Sequence, residues 1–213
     1  MKKGIFIFLV LFAVFIRPAF SDPNLNISNT TAEGGNTTLL SFDSTQETSQ
    51  WQGYFGTVTG GIFLKDSSDN IFYDWNVVDA VGEILATRSL VPDWSIINCT
   101  NQTEIYDEEK RLNIENISSS GINDTYLNTT HPNFDVAGRS MAGCRSTLTY
   151  NFTESQAVFW NVILNANATT TVYVSLIDNN KIGFNGSVVD FQLLVPVDKL
   201  TGQSLYNIYV QLG

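Results

Sequence analysis

The chain has one histidine, two cysteines and two methionines in 213 residues, and only 11 basic side chains against 21 acidic ones. Each shortage excludes something. With His131 alone, and no Cys-x-x-Cys or His-x-x-x-His spacing, no metal-ligand set can be assembled from the usual soft donors. No Gly-x-Ser-x-Gly, His-Glu-x-x-His or phosphate-loop pattern occurs, so no nucleophile, zinc-hydrolase or nucleotide site is signalled. A glycosidase built on paired carboxylates needs no motif, but nothing in the residues points to catalysis, and no cofactor is expected. A net charge of −10 repels nucleic acid and anionic lipid. Past the first twenty residues no apolar run is long enough for a transmembrane helix.

What is present begins with an export signal. Lys2 and Lys3 precede an apolar run from Gly4 to Ile16, which Arg17 and Pro18 close. Ala19-Phe20-Ser21 puts small residues at the cleavage positions, so residues 1–21 are expected to be removed and the mature chain to begin at Asp22. As a helix the run would span only about 20 Å, short of the ~30 Å hydrocarbon core. Lys3-Gly4 also resembles the processing site of type IV pilins, but Ile5-Phe6-Ile7-Phe8-Leu9 lacks the glutamate that such a site wants. Cleavage leaves a mature chain with no transmembrane segment.

Eleven of the 21 asparagines head an Asn-x-Ser/Thr acceptor triplet: Asn26, Asn29, Asn36, Asn98, Asn101, Asn116, Asn123, Asn128, Asn151, Asn167 and Asn185. Ser and Thr supply 39 of 213 residues, so chance accounts for only about four such triplets. The excess fits a chain that meets a glycosyltransferase outside the cytoplasm. In that oxidising setting Cys99 and Cys144 are expected to form a disulfide, worth about 4 kcal/mol in the chain-entropy model. Localisation is therefore expected to be secreted or at the cell surface.

Residues 22–36 are polar, carry three triplets and read as a flexible glycosylated lead-in. From Thr37 to Gly213 the pattern is that of one domain, rich in aromatic and β-branched residues with turn punctuation. WQGYFGTVTGGIFLKD (Trp51 to Asp66) and Ile71 to Trp75 read as the strands of a hairpin. Gly82 to Arg88, Trp94 to Cys99, Thr147 to Phe152, Ala157 to Leu164, Val172 to Leu176, Val189 to Val195 and Tyr206 to Leu212 read as further strands. Asn101-Gln102-Thr103-Glu104 is a helix start, with Lys110 and Arg111 at the far end and Ile105, Glu108, Glu109 and Leu112 on one face. Ile114 to Arg139 reads as a polar loop. The whole predicts an all-β antiparallel sandwich, immunoglobulin-like or jelly-roll, with one short helix in a disulfide-bracketed flap at 100–143.

The triplets stop between Asn36 and Asn98 and again after Asn185. The bare hairpin, with Trp51, Tyr54, Tyr73 and Trp75, and the bare terminal strand are therefore the candidate contact face. Flat rings there suit a neighbouring subunit or a surface glycan. Asp66, Asp69, Asp74 and Asp79, and Asp107-Glu108-Glu109, are oxygen-rich, but neither group follows the calcium-loop spacing, and no metal is assigned.

WQGYFGTVTGGIFLKD at Trp51, GEILATRS at Gly82, WSIINC at Trp94, GFNGSVVDFQLLVP at Gly183 and YNIYVQL at Tyr206 resemble segments of small secreted proteins of archaea. That resemblance implies an archaeal cell-surface or extracellular setting with dense glycosylation, and it transfers no site residue. The function expected is a non-catalytic structural or assembly protein, such as a filament or sheath subunit. The alternative is a carbohydrate-binding or adhesive module using exposed aromatics.

Overall fold

A computed structural model describes residues 43–46, 50–66, 68, 71–77, 79–114, 120–151 and 156–212, with backbone alone for 43–46, 60–65 and 71–77. The expected leader and lead-in lie outside the described residues.

The strands are β1 (Asp43–Gln46), β2 (Trp51–Gly56), β3 (Gly60–Lys65), β4 (Ile71–Val77), β5 (Gly82–Thr87), β6 (Asn98–Cys99), β7 (Phe134–Val136), β8 (Arg139–Met141), β9 (Ser146–Tyr150), β10 (Ala157–Asn167), β11 (Thr170–Leu176), β12 (Lys181–Ile182), β13 (Val188–Val189), β14 (Phe191–Pro196) and β15 (Asn207–Leu212). Two helices, α1 (Gln102–Arg111) and α2 (Ile122–Thr125), lie between β6 and β7. The fold is an all-β antiparallel sandwich. One sheet runs β1-β2-β14, and the second runs β15-β5-β11-β10-β6, with β9 also paired to β10.

β14 packs across β5, β10 and β11, which sets the two sheets face to face. Ile84, Ala86, Ile163, Tyr173, Phe191, Leu193 and Val195 fill the space between them. β14 is buried on both faces, and the buried polar side chains at its start, Asp190 and Gln192, find partners inside. Gln192 donates to Thr149 Oγ1 at 3.1 Å and accepts from the Phe184 amide at 2.6 Å. Asp190 accepts from the Val58 and Asn180 amides at 2.7 and 2.8 Å.

Four expectations are corrected. First, Trp51 to Asp66 is two strands. β2 pairs with β1 and β14, and only β3 pairs with β4. The break falls where Asp190 captures the Val58 amide, a contact from 132 residues away. Second, Trp94–Ile96 is a 3-10 turn rather than a strand, because Asp93 accepts from the Ser95 amide at 2.8 Å and caps it. Only Asn98 and Cys99 join the sheet, opposite Asn165 and Leu164 of β10.

Third, there are two helices among the described residues. α1 is the expected one. Asn101 Oδ1 accepts from the Glu104 amide at 3.0 Å while Glu104 accepts from the Asn101 amide at 2.8 Å, a reciprocal capping box. Its predicted inner face is buried at Ile105, Glu108, Glu109 and Leu112. Glu108 is satisfied there by Arg88 at 3.0 Å, Arg111 at 2.8 Å and the Tyr173 hydroxyl at 3.3 Å. Fourth, the described part of residues 100–143 packs into the domain instead of standing off it as a flap or a polar loop. Ile105, Leu112, Ile114, Ile122 and Tyr126 belong to the core between the sheets. The Tyr126 hydroxyl donates to the Leu194 carbonyl at 3.0 Å. Farther on, Phe134, Val136 and Met141 of the β7–β8 hairpin cover the outer face of the second sheet, over Leu85, Val162, Leu164, Val172 and Val174. The segment thus supplies side chains to both faces of that sheet, and the Cys99–Cys144 disulfide closes it.

Candidate functional site

The aromatic face divides on inspection. β2 lies between two partner strands, and all six of its residues are buried. Trp51 and Tyr54 are each only 5% exposed. The Trp51 indole donates to the Ser120 carbonyl at 2.9 Å and sits 6.2 Å from the Tyr126 ring. The Tyr54 hydroxyl accepts from Gln52 Nε2 at 2.9 Å. Neither ring can stack on a sugar or a neighbour. Tyr73 and Trp75 lie on β4, and their side chains fall outside the described residues.

Four of the described acceptor triplets, at Asn98, Asn101, Asn128 and Asn151, flank β6 and β9, the strands that pair with the outer side of β10. Asn98 is exposed on β6, and Asn101, also exposed, caps α1 beside it. Asn128 is exposed where its backbone bridges Ser146 of β9. Half-buried Asn123 accepts from Gln102 Nε2 at 2.7 Å, and half-buried Asn151 follows β9. Asn167 and Asn185 head tight turns, accepting from the amides of Thr169 at 2.9 Å and Ser187 at 3.0 Å. Asn26, Asn29, Asn36 and Asn116 lie outside the described residues.

The opposite edge is β15. It pairs with β5 over six consecutive residues, Asn207 with Thr87 through Leu212 with Gly82, without a bulge. Among the described residues no strand pairs with its other side. Its sequence, NIYVQL, has no charge and no proline. Leu205 just before it is 79% exposed, and Leu212 at its end is 40% exposed.

A cavity of about 440 Å³ opens beside this edge, on the outer face of the second sheet under the β7 segment. Gln211, Glu83 and Leu176 are register partners on β15, β5 and β11, and Trp160 of β10 continues the row of walls. Phe134 and Asp135 of β7 face them, and Asp178 closes one end. Glu83 is only 5% exposed, and its Oε2 has no hydrogen-bond partner. Burial first, and the nearby Asp135 carboxylate second, push the Glu83 carboxyl up to about 7. Gln211 is committed elsewhere: its Oε1 accepts from the Ala137 amide at 2.9 Å, and its Nε2 donates to the Asp135 carbonyl at 2.8 Å. Sequence reasoning missed this site. Its one signal was Glu83 itself, a carboxylate on the same strand face as Leu85.

The other candidate groups have structural partners. His131 Nε2 accepts from the Cys144 amide at 2.9 Å, which leaves Nδ1 to donate to the Pro132 carbonyl at 2.8 Å. Asp66 accepts from the Ser68 amide at 2.8 Å, and Glu109 from the Asn123 amide at 2.8 Å. Among the described residues no three His, Cys, Asp or Glu side chains are grouped to hold a metal ion. Among the described residues, too, no helix is long and apolar enough to cross a membrane. No family model, curated protein or solved structure matches the chain.

Proposed function

We propose that the chain is a secreted, N-glycosylated, non-catalytic protein of an archaeal cell surface that assembles by adding a partner's strand to the free edge of β15, as a filament or sheath subunit would. The observation that carries this reading is the character of that edge. Edge strands of monomeric proteins are blunted by charge, proline, bulges or short length, because an open row of N–H and C=O groups templates pairing. β15 has six residues in unbroken register and none of these devices. Strand addition supplies main-chain hydrogen bonds to such an edge, and flanking apolar side chains such as Leu205 and Leu212 supply contact area. A carbohydrate-binding role through the hairpin aromatics is disfavoured by the burial of Trp51 and Tyr54.

The test is the size of the secreted protein. Light scattering and negative-stain images should show concentration-dependent oligomers or polymers. Gln203→Asn combined with Leu205→Thr places an acceptor triplet at the entrance to β15. With that site occupied, the variant should stay monomeric. A wild-type protein that is monomeric at all concentrations, or a glycosylated variant that assembles normally, overturns the proposal.

A further inference from the structure

We propose that the cavity between β7 and the outer face of the second sheet is a binding site for a small organic cation, an ammonium group on an apolar body, held by the Glu83 carboxylate. Three observations carry this. A buried carboxyl oxygen without a partner is rare in folded proteins, since each such group forfeits its hydration. Glu83 is in that condition at the floor of the cavity. The charged side chains that line the cavity with it are acidic, Asp135 of β7, whose carboxylate acts on Glu83, and Asp178 of the segment after β11, and no lysine or arginine lines the cavity. Lys181 is the nearby cation on the Asp178 side, paired to it at 3.4 Å and about half exposed.

The remaining walls suit the body of such a ligand. Phe134, Trp160 and Leu176 offer an apolar and aromatic lining, on which a cation is also favoured by ring quadrupoles. The volume, about 440 Å³, is that of a small-molecule site. An ammonium group brings three donors, enough for Glu83 and one flanking carboxylate, and restores the charge that burial denies Glu83. A neutral ligand could satisfy the oxygen but would gain nothing from the Glu83 and Asp135 charges.

Phenethylamine is a suitable probe, with 2-phenylethanol as its neutral counterpart, in calorimetric titrations of the glycosylated protein. The amine stays protonated between pH 6 and pH 8, whereas Glu83 ionises through about 7. The amine should therefore bind saturably at pH 8, and its affinity should fall about tenfold by pH 6 as Glu83 takes up a proton. The alcohol should bind at least ~10-fold more weakly than the amine at pH 8. Glu83→Gln, isosteric and unable to ionise, should lose at least ~10-fold in affinity together with the pH dependence. Asp135→Asn, at an exposed position, should move the midpoint of the pH dependence downward, because the charge opposing Glu83 ionisation is gone. Absence of amine binding, equal binding of the alcohol, a flat pH profile or an unchanged Glu83→Gln variant would each overturn the site.

Discussion

The second sheet ends in two unlike edges. On one side β10 is flanked by the five residues of β9 and by β6, which contributes only two residues, carries Asn98, and is tied by Cys99 to Cys144. Asn101 stands exposed beside β6, and Asn128 stands exposed beside Ser146 of β9. On the other side β15 is six residues of uncharged strand with no acceptor triplet and no covalent tie. A large hydrophilic substituent on the first edge would bar pairing there and leave the second edge as the open one. The two edges also differ in what holds them. The first is fixed by a cross-link and by the packing of residues 100–143. The second rests on its ladder to β5, on the faces of Ile208, Tyr209 and Val210, with Tyr209 edge-on to Trp94 at 5.1 Å, and on the Gln211 side chain, hydrogen-bonded to Asp135 and Ala137.

The largest effect should come from opening the cross-linked edge. Replacing Cys99 and Cys144 with serine releases a segment whose ends are 45 residues apart. The chain-entropy model puts the loss at about 4 kcal/mol, which for a domain of this size lowers Tm by roughly 8–16 °C. Hydrogen exchange should accelerate first at β6, α1 and the β7–β8 hairpin, while β15 keeps its protection until global unfolding. Equal acceleration at both edges would mean that the edges are not independent.

The next largest should come from prising off the bare edge at one residue. Gly82 has φ +145°, a region that side chains rarely adopt, and a Cβ there would lie 2.0 Å from the Gln211 carbonyl oxygen on β15. Gly82→Ala therefore cannot be accommodated without moving β15 away from β5. A loss of ~2 kcal/mol is expected, combining strain with broken ladder bonds. Here exchange should accelerate at Tyr209 to Leu212 and spare β6, the reverse of the disulfide variant. Because Gly82 and Gln211 also line the cavity, phenethylamine affinity should fall in the same variant.

These edges were unequally legible in the sequence. β15 shows its alternation directly, and α1 carries both a capping box and a one-sided apolar face, so local rules sufficed. The segment after α1 did not, because its buried residues have no common period. Ile114, Ile122, Tyr126 and Val136 are each held by residues distant in sequence, Tyr126 by the Leu194 carbonyl for example. Counting acceptor triplets there suggested a solvated flap, whereas the side chains between them are core. The same limit hid the cavity. Glu83 was visible as a charge in an apolar strand, but its burial depends on Phe134 and Asp135, some fifty residues on. Trp51 and Tyr54 failed as surface candidates for a related reason: which strand becomes central is decided by β14, from the far end of the chain.

The smallest effect concerns the order of events at the first edge. In Asn98-Cys99-Thr100 the asparagine is exposed, but Thr100 is buried and its hydroxyl has no hydrogen-bond partner. The triplet's middle residue is locked in the disulfide, and its backbone pairs with β10. A glycosyltransferase must reach both the amide and the hydroxyl of a triplet. In the folded chain only one end is presented, so any sugar at Asn98 would have to be added before Cys99 closes onto Cys144. Asn128, whose triplet residues are all exposed, has no such deadline. Cys144→Ser keeps the Asn98 triplet intact while slowing closure. Glycopeptide mass spectrometry should then find higher occupancy at Asn98 and unchanged occupancy at Asn128. A parallel rise at both sites would trace the change to general unfolding, and no rise at Asn98 would show that the folded edge admits the enzyme after all.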